Sequence, residues 1–115
     1  MNIKIVTHTI TKKELAEMAS NQFGDWIKGV VDIEKEIMAV GGDLHADEEA
    51  MLIDDGSDQK NLWGVNLWFE KEGEEWIEFN SMINIRPSVG NRSRGVENQE
   101  IREKIRKIIG SLVVS

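Results

Sequence analysis

Apolar residues along this chain follow two rhythms, and each switch between them marks an element. Residues 2–9 alternate, with Ile3 and Ile5 on one side, which predicts a strand. Thr11-Lys12-Lys13-Glu14 then has the form of a capping box, with Ile10 and Leu15 at the positions of a hydrophobic staple. A helix is expected to start at Thr11, bury Leu15, Met18 and Ala19 on one stripe and stop at Gly24. Residues 26–33 and 36–40 are rich in β-branched and apolar side chains, and only Glu34-Lys35 separates them. They predict an antiparallel hairpin that ends at Gly41-Gly42.

A second helix is expected over 46–54, with Asp47, Glu48 and Glu49 in its first turn, where the helix dipole favours negative charge. Residues 61–69 and 76–86 form a second predicted hairpin around the polar loop 70–75. A loop over 87–95 leads to a last helix over 99–113, capped by Asn98. Ile101, Ile105, Ile108, Ile109, Leu112 and Val113 recur on one face of that helix, the strongest periodicity in the chain. The order β-α-β-β-α-β-β-α predicts one α+β domain over 1–115. Its expected architecture is a two-layer sandwich, a mostly antiparallel five-stranded sheet carrying three helices on one face.

Alternation in the second hairpin assigns its faces. Trp63, Val65, Leu67 and Phe69 share one side with Ile77, Phe79, Ser81, Ile83 and Ile85. The opposite side collects Asn66, Trp68, Glu78, Asn80, Met82, Asn84 and Arg86. Asparagine is a poor strand former, so Asn66, Asn80 and Asn84 call for compensation by a ligand, a buried hydrogen-bond network or a partner chain. A bulge near Asn80 or Ser81 would invert the residues that follow.

Composition narrows the function classes. The 115 residues include 40% hydrophobic and 30% charged side chains, a globular balance, and no cysteine, which excludes disulfides, thiolate metal sites and cysteine nucleophiles. No secretory leader or membrane-spanning run is legible, so a cytoplasmic location is expected. The net charge of −7 is uneven. Residues 1–80 hold 7 Lys/Arg against 18 Asp/Glu, whereas residues 81–115 hold 7 against 3. Nucleic-acid binding is disfavoured, because tracking a phosphate backbone needs a broad positive surface. The asymmetry has two readings: a basic C-terminal helix docked beside acidic elements, or a local anion site at Arg86, Arg92 and Arg94.

Two segments have the residue types for chemistry. Gly41-Gly42-Asp43-Leu44-His45-Ala46-Asp47-Glu48-Glu49 places His45 among carboxylates, as acid/base oriented by Asp47 or Glu48, or as the cap of the following helix. His-x-Asp alone is a weak metal signal, and no metal or cofactor is expected. Asn84-Ile85-Arg86-Pro87-Ser88-Val89-Gly90-Asn91-Arg92-Ser93-Arg94-Gly95 gathers arginines, asparagines and exposed amides just before a helix. Phosphates and carboxylates bind such places through backbone amides and guanidinium forks. The Gly-Lys-Ser/Thr ending of a Walker loop and the Gly-x-Ser-x-Gly elbow of a serine hydrolase are both missing.

The run from Val31 to Glu49 resembles a small prokaryotic family of unknown function, and so do Asn80-Ser81-Met82-Ile83-Asn84-Ile85-Arg86-Pro87 and Gly90-Asn91-Arg92-Ser93-Arg94-Gly95-Val96. The resemblance implies one recurrent domain over nearly the whole chain and carries no activity. The leading expectation is a binding or interaction module for a small anionic ligand or a protein partner, with homodimerisation among the options. Its contact residues would be Asn66, Asn80, Asn84, Arg86, Asn91, Arg92 and Arg94. The alternative is a small hydrolase acting on a phosphorylated or carboxylated substrate. There His45, Asp47 and Glu78 would be catalytic and the arginines would clamp the anion.

Overall fold

A computed structural model describes residues 2–115. Seven strands and three helices follow in the order β1 (Lys4–Val6), β2 (Ile10–Thr11), α1 (Lys12–Ser20), β3 (Trp26–Asp32), β4 (Ile37–Val40), α2 (His45–Asp54), β5 (Leu62–Trp68), β6 (Ile77–Glu78), α3 (Gln99–Leu112) and β7 (Val113–Val114). The main sheet has five strands in the order β1-β4-β3-β5-β6, and every neighbouring pair is antiparallel. The α+β class, the five-stranded antiparallel sheet and the three helices are as expected from the sequence.

The first helix starts as its sequence dictates. Thr11 Oγ1 accepts from the Glu14 amide at 3.0 Å, and the staple residues Ile10 and Leu15 are both buried. The Glu14 carboxylate lies 3.5 Å from Lys4 Nζ and accepts from the Thr11 hydroxyl at 3.5 Å, which ties it to strand β1 rather than to the cap's own amide. The predicted first strand is cut short at Val6, and Ile10–Thr11 instead pairs in parallel with Val113–Val114. The chain's two ends are thereby laced together. In the turn between β3 and β4 the buried Asp32 carboxylate accepts from the Glu34 and Lys35 amides and from the Ser57 hydroxyl. Glu36 there adopts a positive φ of 58°.

Alternation along the strands divides the sheet into two faces. Ile27, Val31, Met38, Val40, Trp63, Val65 and Leu67 form the main core with α1 and α3, which contribute Leu15, Ala19, Ile105, Ile108, Ile109 and Leu112. Val30, Ala39 and Leu62 point the other way, onto Leu52 of α2. The expectation that all three helices share one face is therefore corrected: α1 and α3 cover one, and α2 covers part of the other. The apolar residues of β3 and β4 are consecutive rather than alternating, as a strand buried on both faces requires. Beyond α2, the second face holds Lys28, Asn66 and Trp68 and stays open.

The second predicted hairpin is the largest departure. Strand β6 pairs with β5 only at Asn66 with Glu78 and Leu67 with Ile77. Beyond Phe79 the chain leaves the sheet, turning through short 3-10 segments at Met82–Asn84 and Pro87–Val89. The alternation projected through residue 86 ends there. Ser81 is buried against β5, whereas Ile85 is exposed. Nor does α3 reach the acidic elements through ion pairs: the three pairs among the described residues are Lys4–Glu14, Lys60–Asp58 and Arg106–Glu103.

Candidate functional site

Where β6 abandons the sheet, the side chain of Asn84 takes its place. Its Oδ1 accepts from the Gly64 amide at 2.8 Å, and its Nδ2 donates to the Gly64 carbonyl at 3.0 Å and the Arg94 carbonyl at 2.9 Å. A carboxamide thus completes the β5 ladder where a backbone would otherwise sit. Gly64 must be glycine for this approach, since a Cβ there would lie 2.6 Å from the Ser81 side chain. Asn91 braces the following turn. Its Nδ2 donates to the carbonyls of Asn84, Ser93 and Gly95, and its Oδ1 accepts from the Glu97 amide. The local cost of these asparagines in a strand context is offset by a buried hydrogen-bond network.

The arginine-rich loop is likewise engaged by its own chain. The half-buried Arg86 guanidinium donates to the main-chain carbonyls of Ile83, Gln59 and Leu62 and lies 4.6 Å from the Trp63 ring centroid. The amides of Arg92 and Ser93, the anion-binding nest anticipated from the sequence, both donate at 2.8 Å to the Glu97 carboxylate. These hydrogen bonds, that from Arg92 foremost, hold the exposed Glu97 carboxyl below its ordinary range. The nest holds an anion, and that anion is a side chain five residues on.

A cleft of about 520 Å³ opens on the uncovered face of the sheet. It brings together Lys28 from β3, His45 from α2, Asn66 and Trp68 from β5, Glu78 from β6, and Asn80 and Arg94 from the loop, with Leu44 and Met82 at its rim. Five of the anticipated contact and catalytic residues therefore share one place: His45, Glu78, Asn66, Asn80 and Arg94. Asn84, Arg86, Asn91, Arg92 and Asp47 do not line it. A larger open groove of about 650 Å³ runs beside α3, but exposed charged side chains such as Glu36, Glu103, Lys104 and Lys107 line it, and no buried titratable group.

His45 is the first residue of α2 and does not cap it. The cap is Leu44, which offers no side-chain acceptor. The imidazole instead turns toward β5, with Nε2 2.8 Å from the Val65 carbonyl, so the neutral ring donates there. Burial is the main cause that pushes its pKa down to about 4. No carboxylate hydrogen-bonds to it among the described residues. Lys28 has its pKa lowered by burial, with Glu48 and Glu78 pulling it back up. Its ammonium lies 4.5 Å from the Trp26 ring centroid and 5.1 Å from that of Phe23. Phe23, Trp26 and Trp68 stack in a row at centroid distances of 4.4 and 5.2 Å. Lys71 lies over Trp68, so these ring faces are already covered.

Asn66 Nδ2 donates to Glu78 Oε1 at 2.9 Å and to the Asn80 carbonyl at 3.2 Å, and Trp68 Nε1 donates to the same Glu78 oxygen at 3.1 Å. Asn66 Oδ1, almost wholly buried, has no hydrogen-bond partner among the described residues. Behind the cleft, Glu48 is fully buried, and its Oε2 accepts from the Gly42 amide at 2.9 Å. Burial raises its pKa well above the ordinary value. A Cβ on Gly42 would meet the Glu48 side chain at 2.8 Å, which explains the glycine. Sequence reasoning missed Lys28 as a member of this neighbourhood and named Glu48 only as an orienter of His45, to which it does not hydrogen-bond. Lys28 was legible as the one cation on β3, whereas the burial of Glu48 was hidden by its place in an acidic first turn. Among the described residues no three His, Asp or Glu side chains come together as a metal site requires, and no helix is long and apolar enough to cross a membrane.

Comparison with the curated proteins and with the solved structures gives no match. One family does match, over residues 4–112, and the chain belongs to it: the family described as Protein of unknown function (DUF5674).

Proposed function

We propose that this chain is a cytoplasmic binding domain for a small anionic ligand, a carboxylate or phosphate, held in the cleft on the open sheet face. The observation that carries this reading is the position of Lys28 and Arg94. They come from distant parts of the sequence, face the same cleft, and neither forms an ion pair with a carboxylate among the described residues. A partly desolvated ammonium beside a guanidinium attracts a negative group more strongly than either cation would in open solvent. Thermal melts and tryptophan fluorescence with phosphate and a panel of carboxylic acids test it. Binding in the parent that Lys28→Met and Arg94→Met each weaken supports the reading. Absence of any shift with every anion overturns it.

One observation favours an enzymatic reading: His45 and Glu78 share the cleft with Arg94. On that reading His45, neutral at pH 7, is the base and Arg94 steadies the phosphate or carboxylate of the substrate. It lacks the oriented dyad, because His45 is held by a carbonyl and Glu78 by Asn66 and Trp68. Hydrolysis of simple phosphomonoesters or esters that disappears in His45→Gln would establish it.

A further inference from the structure

The anion reading leaves part of the cleft unexplained, and that part defines what else its ligand has. Both hydrogens of Asn66 Nδ2 are used, toward Glu78 Oε1 and the Asn80 carbonyl. This fixes the amide. Flipping it would set Oδ1 against a carboxylate and a carbonyl. Oδ1 is therefore an acceptor, nearly buried, with no donor among the described residues. A buried acceptor of this kind is costly to leave unmet, and a partner is the usual explanation. His45 lies within hydrogen-bond reach of the Asn66 side chain, and charging the ring would supply a donor, but with its pKa pushed down to about 4 the ring is neutral at pH 7 and its one N–H is directed to the Val65 carbonyl.

Next to this acceptor stands Glu78. Only its Oε1 takes part in hydrogen bonds among the described residues, so Oε2 keeps its lone pairs. Glu78 is near enough to Lys28 to pull its pKa up against the burial that lowers it. The cleft therefore offers two kinds of group at once. Lys28 and Arg94 are donors for an anion, and Asn66 Oδ1 and Glu78 are acceptors for a cationic or polar N–H. A plain carboxylate satisfies the first set and is repelled by Glu78. The faces of Trp26 and Trp68 are already stacked, which leaves no slot for an intercalated ring. The apolar surface on offer is the aliphatic rim of Leu44 and Met82.

We infer that the ligand is zwitterionic, an α-amino acid or a close relative with an aliphatic side chain. Its carboxylate lies at Lys28 and Arg94, and its ammonium lies between Asn66 Oδ1 and Glu78. This rests on the reading of the cleft as an anion site and adds the second half of the recognition. It makes Asn66 and Glu78 specificity determinants.

Isothermal titration of the full chain with L-leucine, 4-methylpentanoate and isoamylamine separates the two ideas. These probes carry both charges, the anion alone and the cation alone on the same aliphatic frame. L-leucine is expected to bind about 10-fold tighter than 4-methylpentanoate, the effect of one well-placed charged hydrogen bond. Glu78→Gln keeps an oxygen for Asn66 and Trp68 but removes the charge. It should weaken L-leucine while leaving 4-methylpentanoate unchanged or tighter, a split that general damage to the fold would not produce. If 4-methylpentanoate binds, loses affinity in Lys28→Met and matches L-leucine, the anion site stands and the zwitterion inference is overturned. If Glu78→Gln weakens both alike, the inference is also overturned. If none of the three probes binds, the zwitterion inference falls, and the anion reading falls with it only if phosphate and the carboxylic-acid panel also give no shift.

Discussion

Two parts of this molecule concentrate polar side chains, and they treat them in opposite ways. In the segment 80–97 the donors and acceptors are answered, some within the loop and some by β5 and the turn that leads into it. Asn84 pairs with Gly64, Arg86 with three carbonyls, Asn91 with three more, and the Arg92 and Ser93 amides with Glu97. In the cleft the polar groups arrive from five separate stretches of chain, and several have no hydrogen bond or ion pair among the described residues: Lys28, Arg94, Asn66 Oδ1 and one oxygen of Glu78. Asn91 and the Arg92 and Ser93 amides find partners by local turns alone, at little entropic cost, while Asn84 and Arg86 sit on a pliable loop that can settle onto the edge of β5. Groups brought together only by the sheet sit on rigid elements that cannot bend toward each other. A loop rich in donors is thus a weak indicator of a binding site, and a few unmatched groups on adjacent strands are a stronger one.

The sharpest way to break this comparison is to remove one asparagine from each region. Asn84→Leu leaves the amide and carbonyl of Gly64 buried without partners. At about 1–3 kcal/mol for each orphaned group, the loss of stability is roughly 2–6 kcal/mol. Asn66→Ala removes two hydrogen bonds, to Glu78 and to the Asn80 carbonyl, together with an acceptor that is already unmet, and should cost about 1–2 kcal/mol. Urea denaturation of the two variants measures both. Equal losses would mean that Asn66 is as structural as Asn84 and that the cleft is part of the scaffold.

A second test uses pH and follows from His45. Its pKa falls from 6.5 to about 4 because the buried ring resists charging. The folded state then binds fewer protons than the unfolded state between those values, so stability is fully present above 6.5 and declines as pH falls toward 4. By pH 4 the loss from this residue is about 3 kcal/mol. The parent should lose that amount relative to His45→Gln between pH 7 and pH 4. Imidazole resonances that titrate near 6.5 would place His45 in solvent and remove it from the cleft. Chloride or phosphate binding at Lys28 and Arg94 would ease the charging of the ring, raise its folded-state pKa toward 6.5 and so make the loss smaller.

Much of the scaffold was legible, for identifiable reasons. The stripe Ile105, Ile108, Ile109 and Leu112 is buried as its 3.6-residue spacing demands, and Thr11 caps α1 through the bond its capping box implies. These are short-range patterns that one element satisfies alone. The departure after Phe79 was not legible, because Asn84 imitates a backbone from the side. Apolar residues continue at Ile83 and Ile85, so alternation persists in the letters after the strand has ended. The cleft was half legible. His45, Glu78, Asn66, Asn80 and Arg94 were named, but as members of separate segments. Only the order β4-β3-β5-β6, with α2 lying over part of one face, brings Lys28 into their company.

The finest distinction between the two regions lies in Glu97. Its carboxylate occupies the nest made by the Arg92 and Ser93 amides, yet it is fully exposed and so contributes little to stability at high ionic strength. Because the folded-state pKa is lowered, its contribution is present above the ordinary glutamate value and is lost as pH falls through the still lower folded value. Glu97→Ala should therefore melt slightly below the parent at pH 7, with the gap closing in strong acid. The variant has a second consequence that the parent lacks. It frees two convergent amides beside Arg92, the arrangement that binds phosphate at helix N-termini and nests. Phosphate at pH 7 should then raise the melting temperature of Glu97→Ala more than that of the parent, since any binding in the cleft is common to both. An equal rise in the two proteins would mean that the nest is either open already or unfit for an anion, and the contrast between the regions would rest on Asn84 and Arg86 alone.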